Sequence, residues 1–245
     1  MNAHTLLPPN PRLIGTITPS GNTVVERTTQ AALRDLPQAA ALFARIPVHG
    51  DRDPFPDRYN LAAMLEAATL LSHARPDAII WNGSKGGGIG LEHDRDLVAR
   101  ITDATGIAAD TSGLALLRAI AASGVQSIGL LTPYAEAHQR RLVERLNAEG
   151  VPVVSERHLG MTDNLSYASV PYDTILLQAR SLAAQKPDVL LAWCTNYPAA
   201  PLAAEIEAET GIPLWDATML GLLGGLAVAG VAERPNGWGS LSGLL

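Results

Sequence analysis

Cysteine occurs once in the 245 residues, at Cys194, so no disulfide can form within the chain and nothing points to an oxidising compartment. Aromatic residues make up 4% and charged residues 17%. What remains is aliphatic and rich in Ala and Leu, a composition that suits parallel strands covered on both faces. The net charge of −6 comes without any cluster of Lys and Arg, which argues against a nucleic-acid surface. The longest apolar stretch, 217–231, is broken by four glycines and falls short of the roughly 20 residues a membrane helix needs. The segment 1–10 lacks the charged-then-apolar build of a signal peptide. A soluble cytoplasmic protein is expected. Phosphate-binding and dinucleotide glycine fingerprints, a G-x-S-x-G elbow and an H-E-x-x-H pair are all missing. His49, His73, His93, His138 and His158 show no ligand spacing, so neither a metal nor another cofactor is expected.

What the chain does have is a repeat. Arg12-Leu-Ile-Gly-Thr-Ile-Thr-Pro19 returns as Gln126-Ser-Ile-Gly-Leu-Leu-Thr-Pro133, and Arg75-Pro-Asp77 returns as Lys186-Pro-Asp188. Thr105-Gly-Ile107 returns as Thr210-Gly-Ile212. Within each copy, short apolar runs alternate with helical patterns of 10–15 residues, the signature of right-handed βαβ units. The expected fold is α/β: two pseudo-symmetric lobes, each a parallel sheet of about four strands flanked by helices. Residues 1–110 with 217–245 are assigned to the first lobe and 111–216 to the second. Ligands of such sheets bind beyond the carboxyl ends of the strands, which places the site in the cleft between lobes. The lining segments are then 18–23, 82–88, 132–134, 161–164 and 194–197.

At an offset of 111, Cys194 faces Gly83, so one half-site carries a thiol and the other has none. Cys194 ends a strand, and Pro198 and Pro201 after it predict a helix start whose free N–H groups would cradle a carboxylate and lower the thiol pKa. An isolated cysteine is otherwise a small buried hydrophobe. The run Gly83-Ser84-Lys85-Gly86-Gly87-Gly88 reads either as a flexible reversal or as a nest of backbone donors with the Ser84 hydroxyl, Lys85 adding charge or pointing to solvent. Asn22 is either a helix cap or an amide offered to substrate. Tyr134 is either a packed aromatic or a phenol donor, and Asn164 carries a similar ambiguity. The loops 47–59 and 158–170 are expected to shape the pocket without naming a substrate.

The segments Thr18–Thr23, Trp81–Ser84, Leu131–Tyr134 and Trp193–Asn196 together resemble the aspartate/glutamate racemase superfamily, and within it the maleate isomerase and arylmalonate decarboxylase branch. The resemblance runs from about Arg12 to Ala229. It implies a cofactor-independent enzyme whose isomerases and racemases use two cysteines, one per lobe. Cys194 matches the second and Gly83 the position of the first, the asymmetry of arylmalonate decarboxylase. Tyr134 and Ser84 match anion-binding hydroxyls, the backbone around Thr195 and Asn196 matches part of a dioxyanion hole, and Asn22, Tyr134 and Asn164 match substrate-binding positions. One thiol cannot stand on both faces of a substrate, as racemisation requires. It can protonate the enediolate left by loss of CO₂. The expected function is therefore a decarboxylase-like lyase acting on a small carboxylate. Alternatives are a maleate isomerase or a racemase with the missing thiol replaced, and a carboxylate-binding protein without catalysis. A homo-oligomer is plausible for the class.

Overall fold

The computed structural model describes residues 9–48 and 58–245; positions 49–57 of the loop 47–59 read above, His49 included, lie outside them. Strands β1 (Arg12–Pro19), β2 (Ala39–Ile46), β3 (Ala78–Trp81) and β4 (Ala109–Thr111) form one parallel sheet in the order β2-β1-β3-β4. Strands β5 (Ile128–Tyr134), β6 (Val153–Met161), β7 (Val189–Ala192) and β8 (Leu214–Asp216) form a second, in the order β6-β5-β7-β8. The helices are α1 (Val25–Ala32), α2 (Leu61–Ser72), α3 (Gly86–Ile89), α4 (Glu92–Thr105), α5 (Ser112–Ser123), α6 (Glu136–Ala148), α7 (Asn164–Tyr167), α8 (Tyr172–Ala183), α9 (Ala203–Thr210) and α10 (Ala217–Val228). This is the twin α/β plan expected from the repeat. None of the described helices is long and apolar enough to cross a membrane.

Each repeated motif has a conformational cause. Gly106 and Gly211 both stand at φ 70° and close α4 and α9 through N–H bonds to Thr102 and Glu207, the left-handed stop that glycine supplies at least cost. Arg75 and Lys186 take φ 50° and 54°. The aspartates two residues on tie the lobes' first strands in the same way. Asp77 accepts the Leu13 N–H at 2.8 Å, and Asp188 accepts the Gln126 N–H at 2.9 Å.

Two strands have weak local signals. Strand β2 is defined by pairing with all eight residues of β1, although its run of alanines carries little strand signal. The three residues of β4 are fixed by a register that sets Ile79 beside Ala109.

Side chains alternate across β3 with the period of two that a pleat imposes. Ala78 and Ile80 join the large core shared with α5, α10 and the second sheet. Ile79 and Trp81 join a separate core with Tyr59, Met64 and Leu97. Helix α10 is buried on nearly every side and lies against β3, β4, α1 and α5. Its glycines permit that approach. A Cβ on Gly225 would stand 2.9 Å from Ile80 Cδ1, and one on Gly221 would stand 2.7 Å from the Asn82 amide.

Candidate active site

The carboxyl ends of the two sheets meet. Asn22, after β1, donates to Thr195 Oγ1 at 3.1 Å, and the Thr23 N–H donates to Asn196 Oδ1 at 2.9 Å. Ser84 Oγ, after β3, lies 3.0 Å from the Tyr134 hydroxyl, and Trp193 Nε1 donates to the Ser84 carbonyl at 2.9 Å. These four bonds join the lobes, and three of them involve a residue within two positions of Cys194.

Cys194 is 3% exposed. It belongs to the large buried core, yet its sulfur has polar partners: it accepts from the Tyr134 phenol and the Asn196 N–H. Ser84 backs Tyr134 in turn, so a chain of hydroxyls ends on Sγ. Burial nevertheless dominates and pushes the thiol up to about 12, with the buried Asp216 carboxyl adding to the rise. This overturns the lowered pKa expected from a helix start. Residues 194–197 form a turn closed by the Tyr197 N–H on the Cys194 carbonyl, and the chain becomes helical only from Ala200 and Ala203 onward. Pro198 and Pro201 delay the helix, so its dipole end is not at the sulfur. At neutral pH Cys194 is an uncharged thiol.

Tyr134 is positioned by aromatic contacts. His138 stacks on it with centroids 3.9 Å apart and planes at 7°, and Tyr167 meets it edge-on at 5.6 Å. Burial first, then Arg141 and Lys85, hold His138 down to about 4, so it stacks as a neutral ring. Lys85 therefore bears on His138, and it is not among the groups that set the Cys194 pKa. On the other flank, Tyr197 donates to Gln178 at 2.5 Å, and Gln178 donates to the Thr132 carbonyl at 3.3 Å.

The asparagines divide their work. Asn22 Oδ1 accepts the Val24 and Val25 N–H groups at 2.9 Å each while its amide nitrogen holds Thr195. It is a helix cap and a brace together. Asn196 Nδ2 donates to the Asn164 carbonyl at 2.5 Å. Asn164 Nδ2 is buried and has no partner among the described residues, a state that a water or a ligand oxygen would satisfy. Thr195 is held from behind as well, its carbonyl accepting from Thr218 Oγ1 at 3.1 Å. Asp216 caps the helix bearing Thr218, and Asn82 Nδ2 donates to the Thr218 carbonyl at 3.0 Å. Sequence reading passed over this second tier. Only Asp216, a capping residue before an apolar run, left a signal.

The glycine-rich turn is neither flexible reversal nor open nest. Gly86–Ile89 coil into α3, and the glycines are demanded by packing. A Cβ at Gly86 would fall 1.8 Å from Asp94 Oδ2, and one at Gly87 would fall 2.5 Å from Trp193 Nε1. Among the described residues no three His, Cys, Asp or Glu side chains gather as a metal-ligand set.

Comparison with known proteins shows the same fold in solved structures. A maleate isomerase of Nocardia farcinica is 30% identical over 223 residues, covering 86% of this chain and 87% of that one. A solved structure of the Nocardia farcinica maleate cis-trans isomerase superposes with TM-score 0.84 at 25% identity, covering 94% and 97% of the two chains. In that protein one cysteine is replaced by serine and a succinylcysteine intermediate is covalently bound. Arylmalonate decarboxylase, as a liganded variant with one glycine changed to cysteine and one cysteine to serine, superposes with TM-score 0.83 at 22% identity over 95% and 99%. The family profile for arylmalonate decarboxylase matches residues 64–242. Relatives of both names are enzymes, isomerases or lyases, and this chain is an enzyme of that group. It belongs to the arylmalonate decarboxylase family, in the maleate isomerase and arylmalonate decarboxylase branch of the aspartate/glutamate racemase superfamily.

Proposed function

We propose that the chain is a decarboxylase-type lyase that removes CO₂ from a small malonate-like dicarboxylate, with Cys194 supplying the proton. The observation that carries this reading is the condition of the sulfur: one buried thiol, kept protonated by its burial, with glycine at the matching position of the other lobe. The bond between the α-carbon and one carboxylate breaks, CO₂ leaves, and the electron pair remains as an enediolate. Cys194 Sγ–H then forms the new C–H bond, and the resulting thiolate recovers its proton from water. Ser84, Tyr134 and the backbone N–H groups near Thr195 and Asn196 suit the developing oxyanions, because fixed donors in a dry site need no reorganisation. The Tyr134 and Asn196 donors also stabilise the thiolate once it forms. Asn164 Nδ2 suits a substrate carboxylate oxygen, and Asn22 keeps Thr195 in place.

A second reading, cis–trans isomerisation of a maleate-like acid, is favoured by the names of the relatives and by the 30% identity to one of them. Addition to a double bond requires a thiolate, and burial of Cys194 works against one. In the Nocardia protein a cysteine remains to bear the succinyl adduct after another has been replaced, whereas this chain has only one. The two readings separate on a substrate panel. Incubated with monosubstituted malonates and with maleate, the enzyme is expected to yield CO₂ and the corresponding monoacids, and no fumarate. Fumarate from maleate without CO₂ release would establish the isomerase instead.

A further inference from the structure

Two of the differences between the half-sites are linked. β3 and β7 are equivalent, with Trp81 beside Ile17 and Ala192 beside Leu131 in matching registers. Two residues beyond each strand end stand Gly83 and Cys194. The first lobe therefore pairs a large residue with none, Trp81 with Gly83, where the second pairs a small residue with a thiol, Ala192 with Cys194.

The coordinates show why. A Cβ on Gly83 would fall 2.2 Å from Trp81 Cζ2, 2.3 Å from Cε2 and 2.9 Å from Cη2, well inside van der Waals contact. The indole already fills the space into which a side chain at 83 would project. It is held there. Trp81 is 1% exposed, and its Nε1 donates to the Tyr59 hydroxyl at 3.1 Å. The Tyr59 hydroxyl donates to Asp94 Oδ2 at 3.0 Å and receives the Gly86 N–H. Tyr59 also meets the Trp81 ring edge-on, centroids 5.9 Å apart. Swinging the indole away would strand its own N–H and break a chain that ends on a buried carboxylate, and buried polar groups without partners are costly.

We infer that Trp81 is the residue that determines one-sided chemistry in this enzyme: its pinned indole occupies the space that a side chain at position 83 would need, and so bars a reactive group from the position equivalent to Cys194. The glycine there is a consequence of the tryptophan. Conversion to a two-thiol site requires Ala192's counterpart as well as Cys194's, that is Trp81→Ala together with Gly83→Cys. The steric claim stands by itself; the reaction claim rests on the decarboxylase reading.

A double-mutant cycle tests the steric claim without substrate. Gly83→Cys should lower the thermal midpoint in the wild-type background. In the Trp81→Ala background, already destabilised by its cavity, the same substitution should leave the midpoint unchanged or raise it. Trp81→Leu serves as the second background if the alanine variant does not fold. Equal drops in both backgrounds would overturn the inference, whatever the enzyme's reaction. The reaction claim is read from product handedness on a prochiral malonate. Gly83→Cys alone should keep a single enantiomer, and the double variant, with Cys194 retained, should give a mixture. A mixture from Gly83→Cys alone would show that Trp81 is no barrier. A single unchanged enantiomer from the double variant would show that it is not the determinant.

Discussion

Cys194→Ala should lower kcat by about 10³-fold or more, in the upper part of the range seen when a general acid is lost, while leaving the fold in place. The side chain is small and buried. Its loss removes one sulfur from a core of several dozen residues, a cost of about 1 kcal/mol on the scale of small-volume deletions. Tyr134 keeps Ser84 as a hydrogen-bond partner, while the Asn196 N–H loses the sulfur as its acceptor, which adds to that cost. The thermal midpoint and circular dichroism should stay near wild type while turnover disappears. Cys194→Ser should fail as well, since an aliphatic hydroxyl is a far weaker acid than a thiol. Turnover within tenfold of wild type in the alanine variant would remove Cys194 from the reaction.

The second large effect concerns pH. An acid whose pKa is pushed up to about 12 is fully protonated from pH 7 to 10, so kcat limited by proton delivery should be flat across that range. A thiolate nucleophile with the same pKa would gain about tenfold per pH unit, roughly 10³ over three units. The two mechanisms thus differ by three orders of magnitude in one experiment. Stability gives the matching signature. Below pH 8.5 the thiol is protonated in both folded and unfolded chains. Above it the unfolded chain ionises first, at the ordinary cysteine value of about 8.5, so folding stability falls as pH rises toward the folded value. Cys194→Ala should therefore lose less stability than wild type between pH 8.5 and 10. The window is clean at its lower end. Asp94 and Asp216, raised to about 7 by burial, lose their contribution between pH 4 and 7 and are constant above that. The buried tyrosines, all shifted upward, begin to contribute as pH approaches 10, where the unfolded chain ionises them, and they do so in wild type and Cys194→Ala alike.

The duplicated architecture was legible because its motifs encode rare conformations. A left-handed residue before Pro-Asp and a glycine closing a helix recur only where the backbone recurs, so matching them aligned the lobes. Cys194 was legible through its solitude and its place at a strand end. The tuning of its acidity was not: two prolines suggested an adjacent helix start, but they postpone the helix, and burial decides the pKa instead. Asn22 shows why site roles are hard to read locally. Its helix-capping half is a local signal, while the bond to Thr195 spans 173 residues of sequence and needs the packed lobes. Trp81 was quoted as part of a motif and given no role of its own, because a tryptophan ending an apolar strand is ordinary. Its meaning lies in the distance to a Cβ that the chain does not have.

The central claim is that a single thiol delivers a proton to one face of an enediolate. The most direct measurement is turnover of a malonate bearing two different α-substituents in D₂O, with the product's deuterium content and handedness read together. The account predicts a monoacid carrying one α-deuterium in one enantiomeric form. Racemic deuterated acid, or release of CO₂ at an unchanged rate by Cys194→Ala, would contradict it.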